Sequence, residues 1–347
     1  MEIQTSVTKV LVVRNDKLGD FMLIYPALAL LKQSAPHIHI SVLVPGYTAD
    51  MAKICPWIDD IIIDSGSEGT LNQQRQLLKK LKKQKFDAII TLYSTTRIGF
   101  LAVLAGIKYR LAPATKIAQI FYNHRLTQRR SRSQKPEFEY NIDVVKIFLS
   151  DFNIKLNNSI KPPFLTFLND EIKPIRNKFY QDHNLSFDTK LIFIHPGTGG
   201  SANNLSLEQF ANLILQLKPG EDYFFVITAG PGEFEYAESL SKMLTNIPHI
   251  VFRSTKGLIN FAKHIQLCSL FISGSTGPLH IAGALNIPTA AFYQRLRSAT
   301  PLRWQTLNSK ANRFAITPPK DANETDMQKI DTTEAAQEII NFYFHKP

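Results

Sequence analysis

The chain has 347 residues, of which 44% are apolar and 20% charged, and its formal net charge is +11. This length and composition are typical of a soluble globular protein with two domains. The two cysteines are far apart in the sequence and lack metal-ligand spacing, which argues against a disulfide framework and a zinc site. The apolar runs are too short to span a bilayer and no signal-peptide pattern is present, so we expect a cytoplasmic protein.

Strand and helix patterns alternate in both halves of the chain. In the first half, apolar runs predict strands at residues 10–13, 39–44, 61–63, 88–92 and 109–111, with helices at 71–85 and 97–105. In the second half, strands are predicted at 191–195, 224–228, 250–252, 270–273 and 289–292, with helices at 207–217, 235–244 and 257–266. We therefore expect an α/β protein with two doubly wound, Rossmann-like domains that face a cleft, one over residues 1–170 and the other over 171–347. The last helix is a candidate to pack back on the N-terminal domain.

The turn after the first strand is crowded with ionisable residues. Arg14, Asp16, Lys17 and Asp20 lie within seven positions, and Gly19 permits a tight turn before a helical pattern begins. A strand-end loop of this kind is typical of a functional site. A solvated loop in which Asp20 caps the helix is the plain alternative, and the spacing alone favours neither.

A second turn, at residues 274–285, is suited to binding phosphate. It follows a short apolar strand and leads into an Ala/Leu-rich helix that Pro278 opens. Backbone N–H groups at the start of a helix attract anions, so this turn predicts a phosphate site. An ordinary strand-to-helix turn is the alternative, and only the presence of two such turns in one chain favours a site.

The positive charge is concentrated in one block. Residues 75–161 contain 18 Lys/Arg and five Asp/Glu, a local balance of +13, so the rest of the chain is slightly acidic. Lysines within 79–85 fit the solvated face of a helix, whereas 125–135 carries five Arg/Lys in an irregular stretch. Such a surface suits an anionic membrane or a phosphorylated substrate. Nucleic acid fits less well, because no zinc-finger or RNP motif is present.

Three motifs, in order along the chain, resemble glycosyltransferase family 9, the heptosyltransferase family. They are KVLVVRNDKLGD at 9–20 with YPAL at 25–28, IHPGTG at 194–199 with LEQF at 207–210, and SGSTGPLHIA at 273–282. The resemblance implies a GT-B fold and an inverting transfer of heptose from ADP-heptose to the Kdo/heptose inner core of lipopolysaccharide. It implies no cofactor beyond the nucleotide sugar and no obligatory metal. The enzyme would work at the inner face of the inner membrane.

The resemblance also implies roles for particular residues. Asp20 takes the position of the general base, which removes the proton of the acceptor hydroxyl as the new bond forms. Glu233 matches a glutamate that accepts ribose hydroxyls, although an acidic residue that opens a helix is an equal alternative. We expect His195, at the end of a strand, to have a structural partner rather than a catalytic role. The remaining donor-binding positions are Thr198, Gly199, Ser275, Thr276, Gly277 and His280.

The acceptor of the family is phosphorylated or bears Kdo carboxylates, and it is anchored to lipid A. Arginine suits such anions because its guanidinium binds two oxygens at once. Residues 112–140 are expected to form a long irregular segment that grips this acceptor. The implied acceptor-binding residues are Arg14, Lys17, Arg110, Lys116, Arg125, Arg129, Arg130 and Arg132. The same charge would hold the enzyme on an anionic membrane.

The chain departs from the family pattern at two positions. Ser275 replaces an aspartate found in many members, and Asn203 stands near the place of a lysine that offsets charge on the leaving diphosphate. Arg295, Arg297 and Arg303 are candidates to supply that charge from another loop. Two alternatives therefore stay open: another GT-B transferase or epimerase with a different sugar nucleotide, and a non-catalytic nucleotide-binding copy. A dehydrogenase is disfavoured, because neither turn has G-x-G-x-x-G spacing.

Overall fold

The computed structural model describes residues 7–115, 117–157, 159–200, 203–217 and 222–344. The chain divides into two compact units between Lys161 and Pro162, shortly before the expected boundary at residue 170. The connecting segment belongs to the second unit, because the N–H groups of Phe164 and Leu165 both donate to the carbonyl of Ala284, at 2.8 and 3.0 Å.

The first unit is built on a parallel sheet of six strands. They are Lys9–Val13 (β1), His39–Pro45 (β2), Asp60–Asp64 (β3), Ala88–Thr91 (β4), Tyr109–Pro113 (β5) and His124–Leu126 (β6). Their order across the sheet is β3-β2-β1-β4-β5-β6. The central strand β1 is buried from Val10 onward, as expected for a parallel strand that helices cover on both faces.

Among the residues described for this unit, six helices flank the sheet. They are Leu18–Met22 (α1), Tyr25–Ser34 (α2), Ala49–Lys53 (α3), Leu71–Gln84 (α4), Thr96–Leu104 (α5) and Glu137–Asp151 (α6). Short 3-10 helices occupy Gly46–Thr48, Ile117–Phe121 and Arg130–Arg132. In α4, Thr70 and Gln73 form a capping box and Leu77 and Leu81 are buried, so the lysines of this helix are solvated as expected.

The second unit repeats the architecture. Its strands are Lys190–His195 (β7), Tyr223–Ala229 (β8), His249–Arg253 (β9), Cys268–Gly274 (β10), Thr289–Phe292 (β11) and Arg313–Ile316 (β12), in the order β12-β11-β10-β7-β8-β9. Its helices are Asn169–Asp182 (α7), Leu207–Gln216 (α8), Phe234–Lys242 (α9), Gly257–Ile265 (α10), Gly277–Ala284 (α11) and Thr332–Tyr343 (α12).

The last helix packs on its own unit. Ala335, Ala336 and Ile339 are buried in the hydrophobic core of the second unit, and the Tyr343 hydroxyl donates to the carbonyl of Thr289 at 2.7 Å. These apolar side chains share one face of α12, so the helix completes the core beside α8.

Each sheet has one point where the direction of strand addition reverses. In the first unit it lies between β1 and β4, and in the second between β7 and β10. Ligands of doubly wound sheets bind beyond the carboxyl ends of the strands at such points. The turn that contains Asp20 follows β1, and the turn that contains Ser275 follows β10. Both strands border a reversal point, so each turn lies where a ligand is expected to bind.

Candidate functional site

Arg14, at the carboxyl end of β1, gathers three carboxylates around its buried guanidinium. Its Nε lies 2.8 Å from Oδ1 of Asp16, its Nη1 lies 3.1 Å from Oε1 of Glu137, and its Nη2 contacts Oδ1 of Asp20. Burial alone would lower the pKa of Arg14, but the three carboxylates raise it above its usual value. The guanidinium is therefore permanently charged and fixes where the carboxylates of Asp16 and Asp20 point.

Asp16 and Asp20 form a close pair of partly exposed carboxylates. Burial, with a contribution from the negative charge of Asp20, raises the pKa of Asp16 from 3.8 to about 6 even though Arg14 is adjacent. Asp20 lies in the first turn of α1, and the Tyr47 hydroxyl donates to the carbonyl of Asp16. A carboxylate pair held beside a charged guanidinium at a sheet edge is suited to accepting a proton from a substrate hydroxyl.

Glu137 extends this cluster to the arginine-rich segment. Its buried carboxylate accepts from Arg14 and also from Arg130, whose Nη1 lies 2.6 Å from Oε1. The side-chain oxygen of Asn141 accepts from both arginines at 3.3 Å, and its nitrogen donates to the carbonyl of Leu23 at 3.2 Å. Helix α6 thus connects the loop that carries Asp20 to residues 128–132.

The structure separates the expected acceptor-binding residues into groups. Arg14 and Arg130 form ion pairs with carboxylates of the protein, and Arg110 donates to the backbone carbonyls at 107, 108 and 121. We expected these three arginines to bind the acceptor, but in the structure they bind groups of the protein itself. A second group is exposed to solvent, and it consists of Lys17, Arg125, Arg129 and Arg132. Lys116 lies outside the described residues.

The second unit has a pocket of about 820 Å³ beside the carboxyl ends of β7 and β8. The loops after these strands form one side, and residues 325–328 form another. Four residues singled out in the sequence line it: Thr198, Gly199, Asn203 and Glu233. The pocket lies next to the reversal point of this sheet, where a nucleotide is expected.

Glu233 is held in this pocket by two glycine N–H groups. Oε1 accepts from Gly199 at 2.9 Å and Oε2 accepts from Gly230 at 3.0 Å. Gly197 has no room for a side chain, because an added Cβ would overlap the Glu233 carboxylate. Although Glu233 directly precedes α9, its side chain does not cap that helix. The carboxylate is therefore positioned by the pocket loops, and its remaining lone pairs are available to hydroxyl donors.

His195, at the end of β7, has a structural partner as expected. Thr228 donates its hydroxyl hydrogen to the carbonyl of Ile194 at 3.3 Å, so it accepts from Nδ1 of His195 at 2.9 Å. Nε2 lies 3.6 Å from Oε2 of Glu233. Burial lowers the pKa of His195 although Glu233 opposes this shift. Because the single ring hydrogen of the neutral imidazole is on Nδ1, Nε2 has none to donate to Glu233, and among the described residues the two glycine N–H groups alone bind that carboxylate.

The turn after β10 has the form expected of a phosphate site. Thr276 is the N-cap of α11 and makes no side-chain capping bond, so the first N–H groups of the helix are left to a ligand or solvent. Gly274 lets the turn approach the loop after β7, because an added Cβ would lie 2.6 Å from Oδ1 of Asn204. Asn204 also donates to the carbonyl of Pro196 at 2.9 Å. Ser275 and Gly277 are partly exposed beside it.

The cationic groups near this turn contribute little to it. His280 is buried, and burial lowers its pKa to about 4, so the ring is neutral rather than a charge for the diphosphate. Arg295 donates to the carbonyls of Lys320 and Ala322, at 3.2 and 2.6 Å, which engages it elsewhere. Among the described residues there is no group of three His, Cys, Asp or Glu side chains placed to hold a metal ion. In this part of the chain no helix is long and apolar enough to cross a membrane.

Sequence reasoning missed four residues of these sites: Glu137, Asn141, Gly197 and Asn204. Glu137 and Asn141 look like ordinary positions of an amphipathic helix, and the partners that tie them to the loop of Asp20, Arg14 and Leu23, are more than a hundred residues away. Gly197 lies inside the IHPGTG motif at 194–199, so its signal was present, but its contact with Glu233 was not evident from the sequence. Asn204 carries no local signal.

Comparisons with known proteins agree with this geometry. The family model of glycosyltransferase family 9 (heptosyltransferase) matches residues 74–332. A Haemophilus influenzae protein, whose name gives only a provisional glycosyltransferase assignment, is 46% identical over 335 residues, which is 96% of each chain. The E. coli ADP-heptose lipopolysaccharide heptosyltransferase II superposes with a TM-score of 0.75 at 20% identity, over 97% of this chain and 98% of that one. The E. coli heptosyltransferase WaaC with ADP gives 0.73 at 16% identity, over 96% and 100%. The chain therefore has the GT-B glycosyltransferase fold and belongs to glycosyltransferase family 9, the heptosyltransferase family.

Proposed function

We propose that this chain transfers heptose from ADP-heptose to a phosphorylated or Kdo-bearing inner-core sugar of lipopolysaccharide, with inversion at the anomeric carbon. Membership of the family supports the reaction class. The names of the two E. coli structures, one an ADP-heptose enzyme and the other bound to ADP, support the donor. The observation that carries the proposal is the pair of carboxylates, Asp16 and Asp20, that Arg14 holds at the reversal point of the first sheet.

In the proposed mechanism Asp20 is the general base. A sugar hydroxyl is a weak nucleophile, and a carboxylate that takes its proton as the new C–O bond forms accelerates the attack. The bond from the anomeric carbon to ADP breaks with its electron pair leaving on the diphosphate. Arg14 keeps the carboxylate of Asp20 oriented, and Asp16 keeps Arg14 in place. No metal takes part in this mechanism.

The donor would occupy the pocket and turn of the second unit. Glu233 accepts the ribose hydroxyls, Thr198 and Gly199 form a wall, and the backbone of residues 275–277 binds the diphosphate at the start of α11. Asn203 brings no positive charge to this pocket. The N–H groups of the turn and the helix dipole would therefore stabilise most of the negative charge on the leaving group.

The acceptor would be recognised by the exposed cations of the first unit. Arg125, Arg129 and Arg132 are free of the buried carboxylate network, and arginine forks match phosphate and carboxylate oxygens. A bilayer-anchored acceptor calls for an enzyme that works at the cytoplasmic face of the membrane without spanning it. The basic block supports such an association with anionic lipid.

The test combines donor binding with turnover. Purified protein is titrated with ADP, UDP and GDP by calorimetry, then incubated with ADP-heptose and Kdo-bearing lipid A, and products are identified by mass spectrometry. We expect ADP to bind most tightly and the acceptor to gain one heptose. Gly277→Leu should weaken ADP binding because it blocks the approach of phosphate to the turn. Preference for another nucleotide would establish a different GT-B activity, and binding without turnover of any sugar nucleotide would establish a non-catalytic copy.

A further inference from the structure

An exposed apolar surface lies on α5 and the neighbouring 3-10 helix. Phe100, Val103 and Leu104 are spaced by three and four residues, so they share one face of α5, and Ile117 and Ile120 share one face of the 3-10 helix. Their exposed fractions range from 41% to 72%. We call these five residues the α5 patch. Large apolar side chains clustered in this way on a surface mark an interaction site.

The two elements behind the α5 patch are packed closely enough to act as one surface. A Cβ added at Gly99 would lie 2.6 Å from Cβ of Phe121, so the backbone of α5 approaches the 3-10 helix directly. The rings of Phe100 and Phe121 meet edge to face, with centroids 5.9 Å apart. The patch is therefore presented on a fixed scaffold rather than on a loose loop.

The segment of sequence that contains the α5 patch carries basic residues and no acidic ones. Residues 88–136 contain nine Lys/Arg and no Asp or Glu. Lys108 and Arg125 are exposed, and the amide of Asn123 ties the backbone at Lys108 to the strand that carries Arg125. Two carboxylates lie near these elements, and both have partners: Asp64 pairs with Arg97, and Asp151 lies 3.1 Å from Nδ1 of His124. Apolar side chains flanked by exposed cations are complementary to an anionic bilayer, which offers acyl chains beneath negative headgroups.

The segment that leads into α5 lies beside the carboxylate cluster. Tyr93 precedes α5, and the guanidinium of Arg14 lies over its ring at 5.9 Å. Ser94 donates to the carbonyl of Pro113 at 3.2 Å, which joins the start of α5 to the end of β5. The helix that carries part of the patch therefore starts at the edge of the sheet that holds Asp20.

We propose that the α5 patch inserts into the interfacial layer of an anionic lipid bilayer. This inference deepens the proposed function, since it names the surface through which the enzyme reaches a lipid-anchored acceptor. The apolar side chains enter the headgroup and acyl boundary while Lys108 and Arg125 contact lipid phosphates. Other occupants of the patch, such as a second copy of this chain, are outcomes of the test.

The experiment measures binding of the full chain to vesicles of phosphatidylcholine with 30% phosphatidylglycerol, and to phosphatidylcholine alone, by co-sedimentation. The test variant is Phe100→Ser/Ile117→Ser/Ile120→Ser. The control, Leu71→Ser/Leu302→Ser, removes apolar residues of matched exposure, 76% and 47%. We expect the wild type to bind anionic vesicles preferentially, the test variant to lose at least about tenfold in partition coefficient, and the control to keep it.

Several results would overturn the proposal. The first is a wild type that does not bind anionic vesicles, and the second is a test variant that binds them as well as the control does. The third is a test variant that binds vesicles normally but is a monomer in analytical sedimentation where the wild type is a dimer. If the triple variant does not fold, Ile120→Trp replaces it: brominated lipids should quench its new fluorescence, and unquenched emission contradicts insertion. Vesicle binding needs neither donor nor turnover, so its failure is distinct from failure of the proposed reaction.

Discussion

Gly197→Ala should cripple nucleotide binding by displacing one carboxylate. The added methyl group would overlap the Glu233 carboxylate, which now accepts from the N–H groups of Gly199 and Gly230. Because the backbone at 197 cannot retreat without disturbing β7, the Glu233 side chain must move. The contact with the ribose hydroxyls is then lost, together with at least one of the glycine hydrogen bonds.

The size of the effect follows from those contacts. A hydrogen bond to a charged group contributes about 1.5–3 kcal/mol, and each 1.4 kcal/mol is roughly tenfold in affinity. Loss of the ribose contact should therefore raise the Kd for ADP by roughly 10- to 100-fold. Gly230→Ala is the graded control, since its Cβ would lie 3.2 Å from Oε2 of Glu233 and asks for only a small adjustment.

Calorimetry on a double-mutant cycle separates this explanation from general loop damage. Glu233→Ala alone should weaken ADP binding by a similar factor. Adding Gly197→Ala to it should then cost less than about 0.5 kcal/mol, because the colliding group is gone. Additive losses in the double variant would show that Gly197 acts through the backbone and not through Glu233, and would refute the reasoning.

Three further predictions concern the first unit. Asp20→Asn should lower kcat by roughly 10²–10⁴-fold and leave the affinity for ADP unchanged. Asp16→Asn should lower kcat less. The reverse ranking in steady-state assays would assign the general base to Asp16. Because burial raises the pKa of Asp16 from 3.8 to about 6, its favourable contribution to folding is complete below pH 4 and is lost as the pH rises through 6. The unfolding free energy of Asp16→Asn relative to the wild type should therefore increase by about 2–3 kcal/mol from pH 4 to pH 7.5, since one pKa unit corresponds to about 1.4 kcal/mol. Equal differences in urea unfolding at both pH values would contradict this. Neutralising the exposed arginines Arg125, Arg129 and Arg132 should raise the KM for the acceptor severalfold at low salt and less at high salt. An unchanged KM would show that these arginines do not bind the acceptor.

Much of the fold could be predicted from local sequence. Buried parallel strands are continuous apolar runs, so the predicted strands agree with the observed ones to within about two residues at each end. The edge strands β6 and β12 were not predicted, because they are short and half-exposed. They are strands only because they pair with β5 and β11. The segment 112–140, expected to be irregular, contains β6, two 3-10 helices and the start of α6.

The site was predictable where its signal is local and not where it depends on partners. The turns at Asp20 and Ser275 were found because strand, turn and helix follow one another in the chain. The roles of Arg14 and Arg130 were not, because a count of charges cannot distinguish a solvated arginine from one that a distant carboxylate binds. Glu137 supplies that carboxylate from α6, which comes close only once the sheet has formed.

The double attachment of Glu137 limits how this enzyme can be re-engineered. Under the proposed function residues 124–135 contribute to acceptor binding, so transplanting them from a relative is a way to change which sugar is accepted. A graft that lacks an arginine at position 130 leaves Glu137 with one cation fewer, and its charge then pulls on Arg14 alone. The graft would alter the aim of Asp20 as well as the choice of acceptor. Loop exchange in this enzyme therefore has to carry Arg130 with it, or specificity will change at the expense of turnover.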